Sequence, residues 1–357
     1  MKNILIHVKN DELIEKYKKY EKNGYPKEKD YSKEIMYTIK EFINNGYNVF
    51  LTSIDNFDYQ NNKFNRIYNI NNDKNISLSI NELNELIDII LIRVIGSIEG
   101  NFDNIQKYLK YLKDNYNGIV LNNLKSMLKG MTKDYLLDFQ NDKEYINSLG
   151  IELIPTKKYN NNITLEEIKK DIKNVNKYII KPSSGELSNS VSNLSNIDEN
   201  YLKRKENKVK GWIVQPIINE IWNGEYQMMF IGKELLYSQK KEYIENYESI
   251  PDQKNRILKK YNPTSSEIEK GINLIKYVEN LYDINIDICR VDFIKNKIND
   301  PILLEFEMVN PGFFIGYMNE NDENIIKITK KLRDYVEEKI KYKEEKNVKK
   351  MKIYSYK

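Results

Sequence analysis

The chain has 357 residues, 40% of them hydrophobic and 31% charged, with a net charge of only +4. That length suits two or three lobes of a globular protein, and Lys and Glu are interspersed, so no basic surface for nucleic acid stands out. One cysteine, Cys289, and one histidine, His7, exclude a disulfide within the chain, a cysteine-based zinc site and Ser-His or Cys-His nucleophilic schemes. Chemistry must therefore run on Lys, Arg, Asp, Glu and a metal or nucleotide. No apolar run suits a membrane span and the first is too short for a signal peptide, so a cytoplasmic protein is expected.

Residues 4–8 read as an apolar strand. Ser32 caps a helix with Ile35, Met36, Ile39, Phe42 and Ile43 on one face and Gly46 at its end. A strand at 48–53 follows, then an Asn-rich stretch, 55–80, expected as a loop with short elements. Residues 88–94 form a buried-type strand carrying Arg93. Ile105, Tyr108, Leu109 and Leu112 mark a helix stopped at Gly118, and 119–123 is the next strand. Such alternation predicts a parallel α/β sheet. No glycine-rich dinucleotide fingerprint or P-loop is present.

The middle changes character. A helix over 132–139 carries Lys133, and 151–156 is a strand. Thr164 with Glu167 is a capping box. The strand 178–182 carries Lys181 and runs into Ser183-Ser184-Gly185, where backbone N–H groups and an ammonium can meet phosphate oxygens. Gln215, Pro216, Ile217 and Ile218 end a strand at 212–218, and residues 226–239 read as a hairpin turning at Gly232-Lys233. Ser266 with Glu269 reads as a second capping box, opening a helix faced by Ile268, Ile272, Ile275 and Leu281. A charged helix from about Glu323 and a basic tail close the chain.

The most informative stretch precedes that helix. In 289–293, Cys289, Val291 and Phe293 alternate with Arg290 and Asp292; in 304–308, Leu304, Phe306 and Met308 alternate with Glu305 and Glu307. The segment between has hairpin chemistry. Paired, the strands gather three carboxylates and a guanidinium on one face. Two carboxylates about 6 Å apart repel by roughly 3 kcal/mol at an effective dielectric of about 20, so Glu305 and Glu307 want a cation such as Mg2+. A solvated edge hairpin is the plain alternative.

The order is Lys133, Lys181-Pro-Ser-Ser-Gly, Gln215-Pro-Ile-Ile with Gly224-Glu225, Arg290-Val-Asp292, and Glu305-Phe-Glu307 followed by Asn310. It resembles the ATP-grasp superfamily, and within it the glutathione-synthetase-like carboxylate–amine ligases, over roughly residues 120–330. The resemblance implies an α/β protein of ATP-grasp fold, an N-terminal parallel α/β lobe plus two α+β subdomains gripping the nucleotide. These are a substrate lobe (1–121), a small lid subdomain (122–213), a large subdomain with the metal site (214–340) and a basic tail (341–357).

It further implies that Lys133 and Lys181 contact ATP phosphates, that the loop 183–190 closes over them, and that Gln215 to Ile218 read adenine. Glu220 or Glu225 would reach the ribose, and Asp292, Glu305 and Glu307 would hold one or two Mg2+, with Mn2+ able to substitute. Arg290, with Lys241 or Arg256, would face the transferred phosphoryl group. Family members often carry Asn where this chain has Glu307; Asn310 could supply that neutral group. Arg93 could pair with a substrate carboxylate or sit in a structural ion pair.

The activity so implied is ATP-dependent amide formation through an acyl phosphate, on small-molecule or peptide acids and amines. The readings beside it are a peptide- or protein-modifying ligase, including ribosomal-peptide tailoring, and a non-catalytic ATP-binding regulator. Neither nucleic acid nor membrane is expected as partner; a homo-oligomer is compatible.

Overall fold

The structure is a computed structural model that describes residues 1–23, 32–185, 191–205, 208–243, 256–313, 315 and 323–354. The chain forms two compact units, Met1–Gly96 with Tyr111–Leu124 and Gly312–Lys357, and Ser97–Lys110 with Lys125–Pro311.

The chain opens with β1 (Asn3–His7), α1 (Asp11–Asn23), α2 (Ser32–Asn44) and β2 (Asn48–Thr52). Then come β3 (Phe57–Asp58), β4 (Lys63–Asn69), β5 (Lys74–Ser79), α3 (Ile80–Leu86), β6 (Ile89–Ile92), α4 (Phe102–Asn115) and β7 (Ile119–Leu121). Strands β2, β1, β6 and β7 lie side by side and parallel, as predicted. Both central strands, β1 and β6, bury their apolar residues fully, as strands covered on two faces do.

The stretch expected as a loop with short elements is an antiparallel extension of the sheet: β4 pairs with β2, β3 and β5. Its apolar residues Phe64, Ile67, Tyr68 and Leu78 are buried. A register shift between Phe64 and Ile67 breaks their alternation, which is why the period of two is not visible in the sequence.

The second unit brings α5 (Leu124–Gly130), α6 (Tyr135–Asn141), α7 (Lys143–Ser148), β8 (Glu152–Leu153), β9 (Lys157–Tyr159) and α8 (Leu165–Asp171). Next are β10 (Tyr178–Pro182), β11 (Ser192–Asn193), α9 (Glu199–Lys205), β12 (Trp212–Pro216), β13 (Glu225–Ile231) and β14 (Glu234–Tyr243). After these come β15 (Arg256–Lys260), α10 (Ser265–Tyr282), β16 (Ile288–Lys295) and β17 (Pro301–Glu307), and α11 (Glu323–Tyr354) ends the chain.

A four-stranded sheet, β11-β10-β12-β9, has its core in Ile168 of α8, Leu202 of α9, Ile180, Trp212 and Val214. The Thr164–Glu167 capping box opens α8 as predicted. A six-stranded sheet runs β15-β14-β13-β16-β17-β8. One of its faces is closed by α6, α7 and α10, whose Phe139, Ile146, Leu274 and Val278 meet Phe230, Val291 and Phe306. The cap of α10 is Thr264 with Glu267, two residues before the predicted pair. Its buried stripe is accordingly Gly271, Leu274, Ile275 and Val278, and Leu281 is exposed.

Helix α11 runs on to Tyr354, into the residues read as a basic tail. Ile325, Ile328, Leu332, Val336 and Ile340 are buried at spacings of three and four, and the helix packs on α2 and β7. Arg333 anchors it to Glu41 at 2.7 Å.

Candidate active site

The hairpin β16–β17 forms where its sequence requires. Asn296 Oδ1 accepts from the N–H groups of Ile298 and Asp300, and Asn299 takes the left-handed conformation (φ 67°) that Asn tolerates. The strands pair antiparallel, with Arg290 opposite Glu307 and Asp292 opposite Glu305. Beyond that the register jumps to Phe293 opposite Leu303, so Leu304 is the extra residue of a bulge. Leu303 therefore joins the helix-covered core, and Leu304 turns to the other face with Ile154, Ile294 and Ile302. This corrects the expected Leu304–Phe306–Met308 face.

The face bearing Asp292 holds charges from several strands. Asp292 is buried and accepts from Arg290, Nε to Oδ1 at 2.7 Å and Nη2 to Oδ2 at 2.8 Å. Burial pushes its pKa up to about 6 against the pull of Arg290. On the next strand, Glu305 would also be raised by burial, but Lys133, Arg290 and Lys181 outweigh that and hold it at about 2. Lys133 Nζ lies 2.7 Å from Glu305. Glu307 Oε1 folds back to accept from the N–H groups of Val309 and Asn310 at 2.8 and 3.1 Å.

Lys133 sits in the turn before α6 rather than inside it. Its N–H donates to the Ser183 carbonyl and its Nζ to the Gly185 carbonyl at 2.6 Å. One lysine thus ties the Ser183–Ser184–Gly185 turn to Glu305. That turn is seated by Gly211, whose carbonyl accepts from Ser183 N–H. Gly211 has φ +125°, and a Cβ there would meet the Tyr159 carbonyl at 2.6 Å, so only glycine fits. The Ser183 hydroxyl is buried without a partner among the described residues, and Ser184 Oγ accepts from Lys210 N–H. Lys181 is partly buried on β10; burial and Lys133 push its pKa down to about 8, with Glu305 and Glu225 opposing. Residues 186–190 of the predicted loop lie outside the described residues.

Gln215 is buried and donates to Thr156 Oγ1 at 2.8 Å, fastening the end of β12 to the 154–156 segment. The following Ile218, with Ile221, lies against the apolar cluster of Ile154, Ile294 and Ile302. Pro216, at the end of β12, and Ile217 and Glu220, in the turn that leads to β13, are half-buried.

Glu225 is buried and accepts from Lys241 Nζ (2.6 Å), Gln227 Nε2 (2.7 Å) and Tyr243 OH (2.7 Å). Two residues this network needs, Gln227 and Gln239, carry no motif of their own in the sequence. The available signal was the alternation of Glu225 and Gln227 with Tyr226 and Met228 in one strand, and of Gln239 and Lys241 in its partner.

Arg93, in the first unit, is buried in an ion pair with Glu34, and its guanidinium lies 4.0 Å from the centroid of the Phe313 ring. Arg256 opens the edge strand β15, opposite Tyr243. Among the described residues no three acidic, His or Cys side chains converge as a ready-made metal cage; Arg290 pairs with Asp292 and Lys133 with Glu305. The donors are nonetheless hard oxygens, as Mg2+ requires, and Mg2+ commonly takes one or two carboxylates and completes its shell with phosphates and water.

No family model and no curated protein matches the sequence. By structure, the chain has the ATP-grasp fold. It is similar to D-cycloserine synthetase DcsG, with TM-score 0.64, 11% identity, and 94% of this chain and 99% of that one covered. A RiPP-associated ATP-grasp ligase from Chryseobacterium gregarium, in complex with ADP and a leader and core peptide, gives 0.55 at 15% identity, covering 94% and 97%. D-alanine–D-alanine ligase from Bacillus anthracis gives 0.52 at 16%, covering 95% and 100%.

Proposed function

We propose that the protein is an ATP-dependent carboxylate–amine ligase. The observation that carries this reading is one sheet face bearing Arg290, Asp292, Glu305 and Glu307, with Lys133 and Lys181 beside it and the apolar Ile154–Ile294–Ile302 cluster adjoining. Charge for a triphosphate and a greasy surface for a purine lie on the same side of the same strands. The residues fit both ligands: four cations (Lys133, Lys181, Lys241, Arg290) balance four acids (Glu225, Asp292, Glu305, Glu307). A nucleotide tetra-anion entering with two divalent cations would keep that balance.

In this reading Gln215 to Ile218 present backbone to adenine, and Glu220 or Glu225 reaches the ribose. Lys181 and Lys133 hold phosphates, with Ser183, Ser184 and Gly185 closing over them. Asp292, Glu305 and Glu307 would hold Mg2+, which counters charge as it shifts to the leaving ADP. Arg290 faces the transferred group. The substrate carboxylate attacks the γ-phosphorus, the bond to the β-phosphate oxygen breaks, and ADP leaves. An amine then attacks the acyl carbon and expels phosphate. Positioning and charge neutralisation do the work, which suits a chain whose thiol is buried and whose histidine is buried neutral. The four-stranded sheet serves as the lid subdomain and the six-stranded sheet as the large one, narrower ranges than 122–213 and 214–340, since α6 and α7 pack on the six-stranded sheet and Gly312–Lys357 groups with the first unit; the substrate lobe, expected over 1–121, likewise loses Ser97–Lys110 to the second unit.

The likeness to a peptide-bound ATP-grasp ligase supports a second form of the same chemistry, in which acid or amine belongs to a peptide. ADP release screened over free amino acids and over short peptides, with Mg2+, tests both forms. Turnover with one set assigns the class. No ADP with any pair, and no Mg2+-dependent stabilisation by ATP, would remove the ligase reading. No described helix is long and apolar enough to cross a membrane.

A further inference from the structure

A single row of side chains crosses the six-stranded sheet: Gln239, Gln227, Asp292 and Glu305 stand opposite one another on β14, β13, β16 and β17. The first three are joined by hydrogen bonds. Gln239 Nε2 donates to Gln227 Oε1 at 2.7 Å, and Gln227 Nε2 donates to Asp292 Oδ2 at 3.1 Å and to Glu225 Oε1 at 2.7 Å. Gln227 is fully buried and Gln239 nearly so.

The donor count fixes the arrangement. An amide nitrogen has two protons, and Gln227 gives one to each of two buried carboxylates. Ionised carboxylates only accept, so the amide cannot be reversed, and the Gln239 donor holds its carbonyl from behind. Among the described residues, Asp292 Oδ2 thereby takes two donors, from Gln227 and Arg290, whereas Oδ1 takes one, from Arg290 Nε. Each carboxylate oxygen has two lone pairs. Oδ2 is filled, and Oδ1 keeps the open acceptor position. Buried carboxylates such as Glu225 and Asp292 also repel strongly at low dielectric. Gln227 is the only neutral group hydrogen-bonded to both among the described residues.

We infer that Gln227, backed by Gln239, is a positioning residue for the divalent-cation site, setting the orientation of Asp292 so that Oδ1 is the oxygen offered to the metal. The inference rests on the proposed role of Asp292 as an Mg2+ ligand. Partners of metal ligands typically contribute 10- to 100-fold in metal affinity. Gln227→Met keeps length and approximate volume and removes both donors.

The test titrates Mg2+ into full-length protein saturated with the non-hydrolysable β,γ-imido analogue of ATP, following heat of binding. A parallel titration measures the analogue without metal. Gln227→Met should weaken Mg2+ about tenfold and leave metal-free nucleotide affinity within about twofold. A Mg2+ affinity equal to wild type, or an equal loss in both titrations, overturns the assignment. Should Gln227→Met not fold, Gln239→Met decides on the same readout: it should weaken Mg2+ selectively but less, and no change rejects the role. Wild-type protein that binds the analogue without any Mg2+ response sinks the metal site itself, and the positioning role with it.

Discussion

The two faces of the six-stranded sheet are built from the same strands and do opposite things. On β13, Met228 and Phe230 enter the apolar core under α6 and α10, while Glu225 and Gln227 face the other way into a buried charged network. On β16, Cys289, Val291 and Phe293 sit in that core, and Arg290 and Asp292 alternate with them. The covered face gains stability from burial. The charged face costs stability, since taking ions out of water is repaid only by good pairing. A chain keeps such a face for what it binds. Mutations on the two faces should therefore separate folding from chemistry.

The largest effect should come from breaking the apolar face. Phe230 is fully buried, and α10 approaches it so closely that a Cβ on Gly271 would come within 2.7 Å of the ring. Little can collapse into the space it leaves. Phe230→Ala should cost about 3–5 kcal/mol, read as a lower urea midpoint at unchanged slope. Nucleotide affinity of the fraction still folded should be near wild type. A loss below about 1 kcal/mol would mean that this face is not the stabilising one.

Next in size is the opposite outcome on the other face. Glu305→Gln removes a charge that in the free chain is neutralised by Lys133. ADP release should fall by about a hundredfold, the scale of losing one transition-state electrostatic contact, with a shift in the urea midpoint far smaller than that of Phe230→Ala. Equal loss of activity and stability would make Glu305 a structural residue and erase the distinction between the faces.

The contrast also explains what could be read from sequence. Asp292, Glu305 and their neighbours were legible because strand alternation over 289–293 and 305–308 is unbroken, and the paired strands share one face. Alternation puts Leu304 on the wrong face because a bulge adds a residue to one strand only, and a period of two cannot announce its own interruption. The hairpin β4–β5 was missed for the same reason. The α10 cap lies in Thr264-Ser265-Ser266-Glu267, where three hydroxyl residues precede two acids spaced to pair with different ones. Arg93 could not be decided at all, since its partner Glu34 is 59 positions away on α2 and pairing at that distance leaves no local pattern. Gln227 was invisible for a related reason: a single amide gains meaning only from the carboxylates that the register brings to either side.

The smallest effect sharpens the comparison through pH. Lys181 stands on the charged side with its pKa lowered from 10.5 to about 8. Between about pH 8 and 10.5 the unfolded chain holds a proton that the folded protein lacks, so stability from this group rises with pH across that window. Below pH 8 the folded protein carries a charged, partly buried lysine at a cost. Lys181→Met removes that cost. The variant should therefore be more stable than wild type at pH 7, by of the order of 1 kcal/mol once partial exposure is allowed for. The advantage should vanish as pH approaches 10.5. Nucleotide affinity at pH 7 should move the other way, falling roughly tenfold with loss of one charged contact to phosphate. Urea titrations at pH 7 and pH 10, beside an ATP titration at pH 7, measure both. A stability gain that persists unchanged at pH 10 would trace to packing rather than charge. Unchanged ATP affinity would take Lys181 out of the phosphate site and leave the cost of burying it without a function to explain it.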